Sequence, residues 1–198
     1  MRKKSHIKLA SVIFDMIDDK SLNKYKLYFK VGAILPDIVP TFLWKKHRID
    51  TTREEFERTV RKFIYGVQVG RMHSLRAGVI THYLSDYFTY PHNKECKWNL
   101  LKHNSYEGSQ LKQIRLLSLD DIKKLNPVIQ NINSLEDLFE MVERLHNEYI
   151  RKIQCRVADW LDVDMEYIEY VSLSVMEILL CNRAKLLGVG LDQAQVLA

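Results

Sequence analysis

The chain has 198 residues, 46% of them apolar, enough for one substantial core and too many for a disordered chain. Seven Gly and four Pro exclude a collagen-like or loop-dominated composition, and 30 basic against 25 acidic residues leave a net charge of +5. That balance suits an anionic substrate or surface without by itself making a nucleic-acid binder.

The chain reads as helices. Ile7, Leu9, Ala10, Ile13, Phe14 and Ile17 form a stripe that stops at Asp18-Asp19. Ser21 is placed to cap a second helix containing Leu22, Tyr25, Leu27, Tyr28 and Val31, and Pro36 to Pro40 fixes a stiff loop after it. Thr52 and Glu55 have capping-box spacing at the start of a long apolar-periodic stretch that ends at Pro91. Gly66, Gly70 and Gly78 either divide that stretch into two helices or allow close packing. A further helix is expected over about Trp98 to Leu117, and Ser134 with Asp137 caps another. The last helix, about Met165 to Leu187, is apolar nearly all round, the profile of a central helix stopping at Gly188. No segment alternates with strand period. The expected fold is all-α, a single-domain bundle of six to eight helices over residues 1–198.

Three widely spaced cysteines, Cys96, Cys155 and Cys181, give neither a disulfide framework nor a Cys-x-x-Cys knuckle. Cys155 and Cys181 read as small core residues. No uncharged apolar run reaches the roughly 18 residues of a membrane span. Met1-Arg2-Lys3-Lys4 leads into no clean apolar region, so a reducing, cytoplasmic setting is expected.

The histidines carry the most information. His82 and Asp86 are one turn apart on a strongly periodic helix and point the same way. His92 follows Pro91, where the chain can fold back, and His103 with Glu107 repeats the one-turn spacing on the next helix. Two helix faces carrying imidazole and carboxylate at this spacing are how a bundle builds a metal site in its core. Imidazole plus carboxylate without thiolate suits zinc in a hydrolytic site. His73 is about half a turn out of phase with His82 and reads as structural or exposed, and His146, beside Asn147 and Glu148, reads as exposed.

The segment from Gly78 to Asp86, then Pro91-His92, then His103 to Glu107, resembles the core of the zinc-dependent phospholipase C family, related in fold to the S1/P1-type nucleases. The phospholipases follow the His-x3-Asp-x5-His string with His-x3-Glu, as here, whereas the nucleases typically use His-x3-Asp. The resemblance extends upstream to Asp37 in the loop after the second helix, to His47, and to His6 in the first helix. It implies that Asp37, His47, His82 and Asp86 hold one zinc, and that His92, His103 and Glu107 hold a second. His6 would hold a third ion, bridged by Asp86. It also implies Asp37 as the residue that orients or deprotonates the attacking water.

The family's N-terminal Trp, whose amine and carbonyl bind the third zinc, is replaced by Met1, so that site is expected to be the weakest. The implied activity is zinc-dependent hydrolysis of a phosphodiester, phospholipid being one substrate class. The alternatives are an S1/P1-like nuclease acting on nucleic acid, or a non-catalytic intracellular protein that keeps the zinc constellation. Lys45, Lys46 and Arg48 are placed to meet an anionic group or simply to be solvated, and Phe42 and Trp44 to line a substrate mouth or to join the core.

Overall fold

The computed structural model describes residues 1–17, 19–20, 22–39, 46–67, 69–117, 132–155 and 159–187. These residues form helices joined by short connections, with no strand among them, so the fold is all-α as expected. Helix α1 spans Lys3–Met16 and buries Leu9, Ala10, Ile13 and Phe14. Helix α2, Lys26–Gly32, follows a 3₁₀ turn at Asn23–Tyr25, and a second 3₁₀ turn, Leu35–Asp37, carries Pro36. The proline's fixed φ suits the opening of that turn, which leaves Asp37 at its end. Ser21, Phe42, Trp44 and Lys45 lie outside the described residues.

Helix α3 runs Ile49–Tyr65, starting earlier than the Thr52–Glu55 spacing suggests. Thr51 accepts the Arg48 N–H, so the cap sits a turn sooner. The Thr52 hydroxyl instead donates back to the Arg48 carbonyl and meets the Tyr87 hydroxyl at 3.1 Å. The long stretch is indeed divided in two: the chain leaves the helix at Gly66, and Gly70 at φ +96° adopts a backbone that L side chains rarely take. Helix α4, Arg71–Tyr87, then begins.

Gly78 serves the other purpose, close packing. A Cβ added to it would lie 2.0 Å from the Phe29 carbonyl oxygen, and one on Gly32 would lie 2.0 Å from that of Leu75. Helices α2 and α4 therefore cross backbone to backbone. Thirteen of the 17 residues of α4 are buried, because α1, α2, α3 and α7 all pack against it.

Helix α5 is Leu100–Leu116, opened by Asn99, whose side chain accepts the Lys102 N–H. Helix α6, Leu135–Gln154, carries the expected Ser134–Asp137 capping box. Helix α7 spans Trp160–Cys181, capped by Asp159, and a single turn, Arg183–Leu186, follows Asn182. It thus starts and stops earlier than expected, and Gly188 lies outside the described residues. Twelve of its 22 residues are buried, so α4, not the last helix, is the most enclosed. No described helix is long and apolar enough to cross a membrane.

Candidate metal centre

The most enclosed helix carries the most polar interior. His82 and Asp86 project from the same face of α4 and are both 0% exposed. Around them stand His6 from α1, Asp37 from the 3₁₀ turn after α2, and His47 from the extended residues before α3. His92 comes from a 3₁₀ turn at Tyr90–His92, and His103 and Glu107 from one face of α5. Seven of the eight residues singled out in the sequence are thereby brought into two adjoining groups, and the eighth, His47, stands beside the first, 3.3 Å from Asp86. His6, Asp37, His82 and Asp86 can present ligand atoms within 4.8 Å of one another, and so can His92, His103 and Glu107.

Asp86 is the hinge of the arrangement. Its Oδ2 lies 3.3 Å from His82 Nε2, 3.3 Å from His47 Nδ1 and 3.6 Å from His92 Nδ1. Its Oδ1 lies 3.4 Å from His6 Nε2 and 2.6 Å from the Met1 amine. Asp37 closes the other side, 3.6 Å from His47 Nδ1 and 3.8 Å from His6 Nε2. In the second group Glu107 Oε1 lies 3.2 Å from His92 Nε2 and 3.1 Å from His103 Nε2. The Met1 amine sits between the groups, also 2.8 Å from His92 Nε2 and 3.3 Å from Glu107.

Hydrogen bonds outside the cluster aim the rings. His82 Nδ1–H donates to the Ala33 carbonyl at 2.9 Å, an approach made available by the close α2–α4 crossing, and this turns Nε2 inward. The Ser85 hydroxyl donates to the His82 carbonyl and so is left to accept from His6 Nδ1–H at 3.1 Å. His6 Nε2 consequently points into the centre, and it is buried without any hydrogen-bond partner. The rings of His6 and His82 stack at 4.1 Å.

The charges follow this packing. Burial alone would push the Asp86 carboxyl up, but His92, the Met1 amine, His6 and His82 outweigh it and hold it well below the usual range. Glu107 behaves likewise: burial opposes ionisation, yet its hydrogen bond to His92 and the nearby amine keep it at about 2. Burial and the Asp86 charge raise Asp37, with His6 acting in opposition. Burial holds the His82 ring well below its ordinary value, and the neighbouring His6 adds to this. For His47, burial is overcome by its hydrogen bond to Asp86, and the ring is raised.

These residues fit zinc. Two buried imidazoles have Nδ1 engaged and a lone pair of Nε2 aimed at carboxylates, and one of those nitrogens has no hydrogen-bond partner. Nitrogen and oxygen ligands about 2.0–2.1 Å from a tetrahedral ion lie about 3.3 Å apart, close to the separations around Asp86 and Glu107. A cleft of about 370 Å³ opens onto the cluster, lined by Asp37, His47, His92 and His103 together with Lys46, Arg48 and Trp98. Lys46 and Arg48 are thus at the mouth, although Arg48 is also paired with Asp50 at 2.7 Å.

Two other histidines stand apart. His73 is buried and stacked on Phe63 at 4.0 Å, a structural placement. His146 is buried, not exposed as its polar sequence neighbours imply, because Asn93, 53 positions away in sequence, covers it and accepts its Nε2–H at 2.7 Å. Cys155 and Cys181 are exposed rather than in the core, since each falls at the end of its helix beyond the last buried turn. Sequence reasoning did not single out Ser85 or the Ala33 carbonyl. The first lies between His82 and Asp86 in the motif, whereas the second is a backbone group from another helix and leaves no trace in side-chain spacing.

Comparison with known protein families matches residues 5–156 to the family described as zinc dependent phospholipase C, which covers every candidate ligand side chain. No curated protein and no solved structure matches the chain.

Proposed function

Because this chain belongs to the zinc-dependent phospholipase C family, we propose that it hydrolyses a phosphodiester bond of a phospholipid at the cleft above the two ligand groups. The observation that carries this reading is the convergence of imidazoles and carboxylates on Asp86 at the floor of a cleft with cations at its mouth. Asp37, His47, His82 and Asp86 Oδ2 would hold one zinc; His92, His103 and Glu107 would hold a second. His6 with Asp86 Oδ1 would contribute to a third. Bound zinc lowers the pKa of its water toward neutrality and offsets the negative charge of a phosphodiester.

The chain's own residues supply the rest. Asp37 is the only carboxylate among the described residues lining the cleft, which makes it the group to orient the attacking water and take its proton. Asp86 is fully buried, so it would act through the metal it helps hold and the surrounding imidazoles, not on substrate. Lys46 and Arg48 draw the anionic phosphate to the mouth, and Trp98 offers an apolar wall to the glycerol and acyl portion.

The test is turnover of phosphatidylcholine vesicles and of a chromogenic phosphodiester, after chelation and zinc return, with single-stranded DNA as the competing substrate. Wild type should cleave the lipid and lose activity in Asp86→Ala, while Glu148→Gln, an exposed change, should retain it. Equal turnover by wild type and Asp86→Ala would reject the mechanism. Preference for DNA would favour a nuclease, and zinc binding without any turnover would favour a non-catalytic role.

A further inference from the structure

Asp164, on α7, lies beyond the segment that matches the family and is 0% exposed. An isolated carboxylate at such depth is costly unless its oxygens are hydrogen-bonded. Its partners are specific. Oδ2 accepts both the Tyr90 N–H at 2.9 Å and the Tyr106 hydroxyl at 2.8 Å, and Oδ1 accepts the Tyr149 hydroxyl at 2.7 Å.

The first two donors belong to the two elements that present the second ligand group. Tyr90 opens the 3₁₀ turn that ends at His92, so its N–H fixes the start of that turn. Tyr106 immediately precedes Glu107 on α5, the helix that also carries His103. One carboxylate oxygen therefore ties the His92 turn to the His103–Glu107 helix. Tyr149, by contrast, comes from α6, which carries none of the eight candidate ligands. An aromatic wall closes over the junction, with Tyr90 packed against Trp98 at 5.1 Å and Trp160 at 4.7 Å, and Trp98 against Tyr106 at 5.1 Å.

We propose that Asp164 is the positioning residue of the second ligand group, setting the distance between His92 and the His103–Glu107 pair through Tyr90 and Tyr106. The inference rests on the reading that this group holds a metal. It makes α7 a structural requirement of the centre, although the helix supplies no ligand.

The experiment is zinc titration of the chelated protein against a chromophoric competitor, with His103→Ala identifying which ion belongs to the second group. Asp164→Ala should weaken that ion about 10–100-fold and leave the first group's ion unchanged. Asp164→Asn, whose amide oxygen can occupy the Oδ2 position, should recover most of the affinity. Tyr106→Phe removes a single hydroxyl and keeps the proposal testable if Asp164→Ala does not fold. It should weaken the same ion, whereas Tyr149→Phe should lower the melting temperature without moving either affinity. Equal weakening of both ions, or equal effects of Tyr106→Phe and Tyr149→Phe, would reduce Asp164 to a general packing role and overturn the proposal. A wild type in which His103→Ala removes no ion would instead sink the metal reading itself.

Discussion

His73 and His82 lie on one helix, nine residues apart, and are equally buried at 1% and 0% exposure. Their surroundings differ completely. His73 stacks on Phe63, and its Nδ1 has no hydrogen-bond partner. Burial pushes its pKa down to about 4. His82 has its Nδ1–H anchored on a carbonyl and its Nε2 aimed at Asp86 and His47. Burial therefore does not distinguish a candidate ligand from a packing residue on this helix. Orientation toward carboxylates does, and that orientation is set by atoms outside the cluster.

The largest effect should separate the two positions outright. His82→Ala should reduce zinc-restored phosphodiester turnover to background, while His73→Phe, which keeps a ring against Phe63, should preserve it. Comparable losses in both variants would erase the distinction.

The second effect is the pH dependence that the packing histidine contributes. The unfolded chain takes up a proton near pH 6.5, and folded His73 does not until about 4. Its contribution is thus fully present above pH 6.5 and is lost as pH falls from 6.5 toward 4, amounting to about 3 kcal/mol at the acid end. Urea unfolding of wild type and His73→Phe, both with chelator, should show the stability gap shifting by that order over this range. A gap independent of pH would mean that His73 protonates freely in the folded state.

A smaller change sharpens the role of orientation. Ser85→Ala removes the hydroxyl that receives His6 Nδ1–H but no candidate ligand. Zinc affinity should fall about 10–100-fold by competition titration, as for other groups that aim a metal-binding imidazole. Unchanged affinity would show that His6 is held by packing alone.

The helical phasing, the one-turn pairs His82–Asp86 and His103–Glu107, and the Ser134–Asp137 cap were legible because each depends on local spacing. Contacts between distant segments were not. His146 sits beside Asn147 and Glu148 in sequence, and nothing local indicates that Asn93 will cover it. The Thr52–Glu55 spacing suggested a later start for α3, whereas the helix is capped at Arg48, whose N–H the Thr51 hydroxyl accepts. Gly78 could be read either as a break or as a close approach, and the position of α2 decides it. Gly78→Ala, which drives a methyl group into the Phe29 carbonyl, should cost about 1–3 kcal/mol in denaturant unfolding. A neutral effect would mean that the α2–α4 crossing yields easily, and that the Ala33–His82 bond is not fixed by it.

The most direct test of the metal centre is elemental analysis of protein purified without chelator, counting zinc per chain in wild type and in His82→Ala. Convergence of these ligand groups predicts about two tightly held ions in wild type and the loss of at least one in His82→Ala, with His73→Phe unchanged. Less than one zinc per wild-type chain after purification in zinc-supplemented buffer, or an unaltered count in His82→Ala, would contradict it.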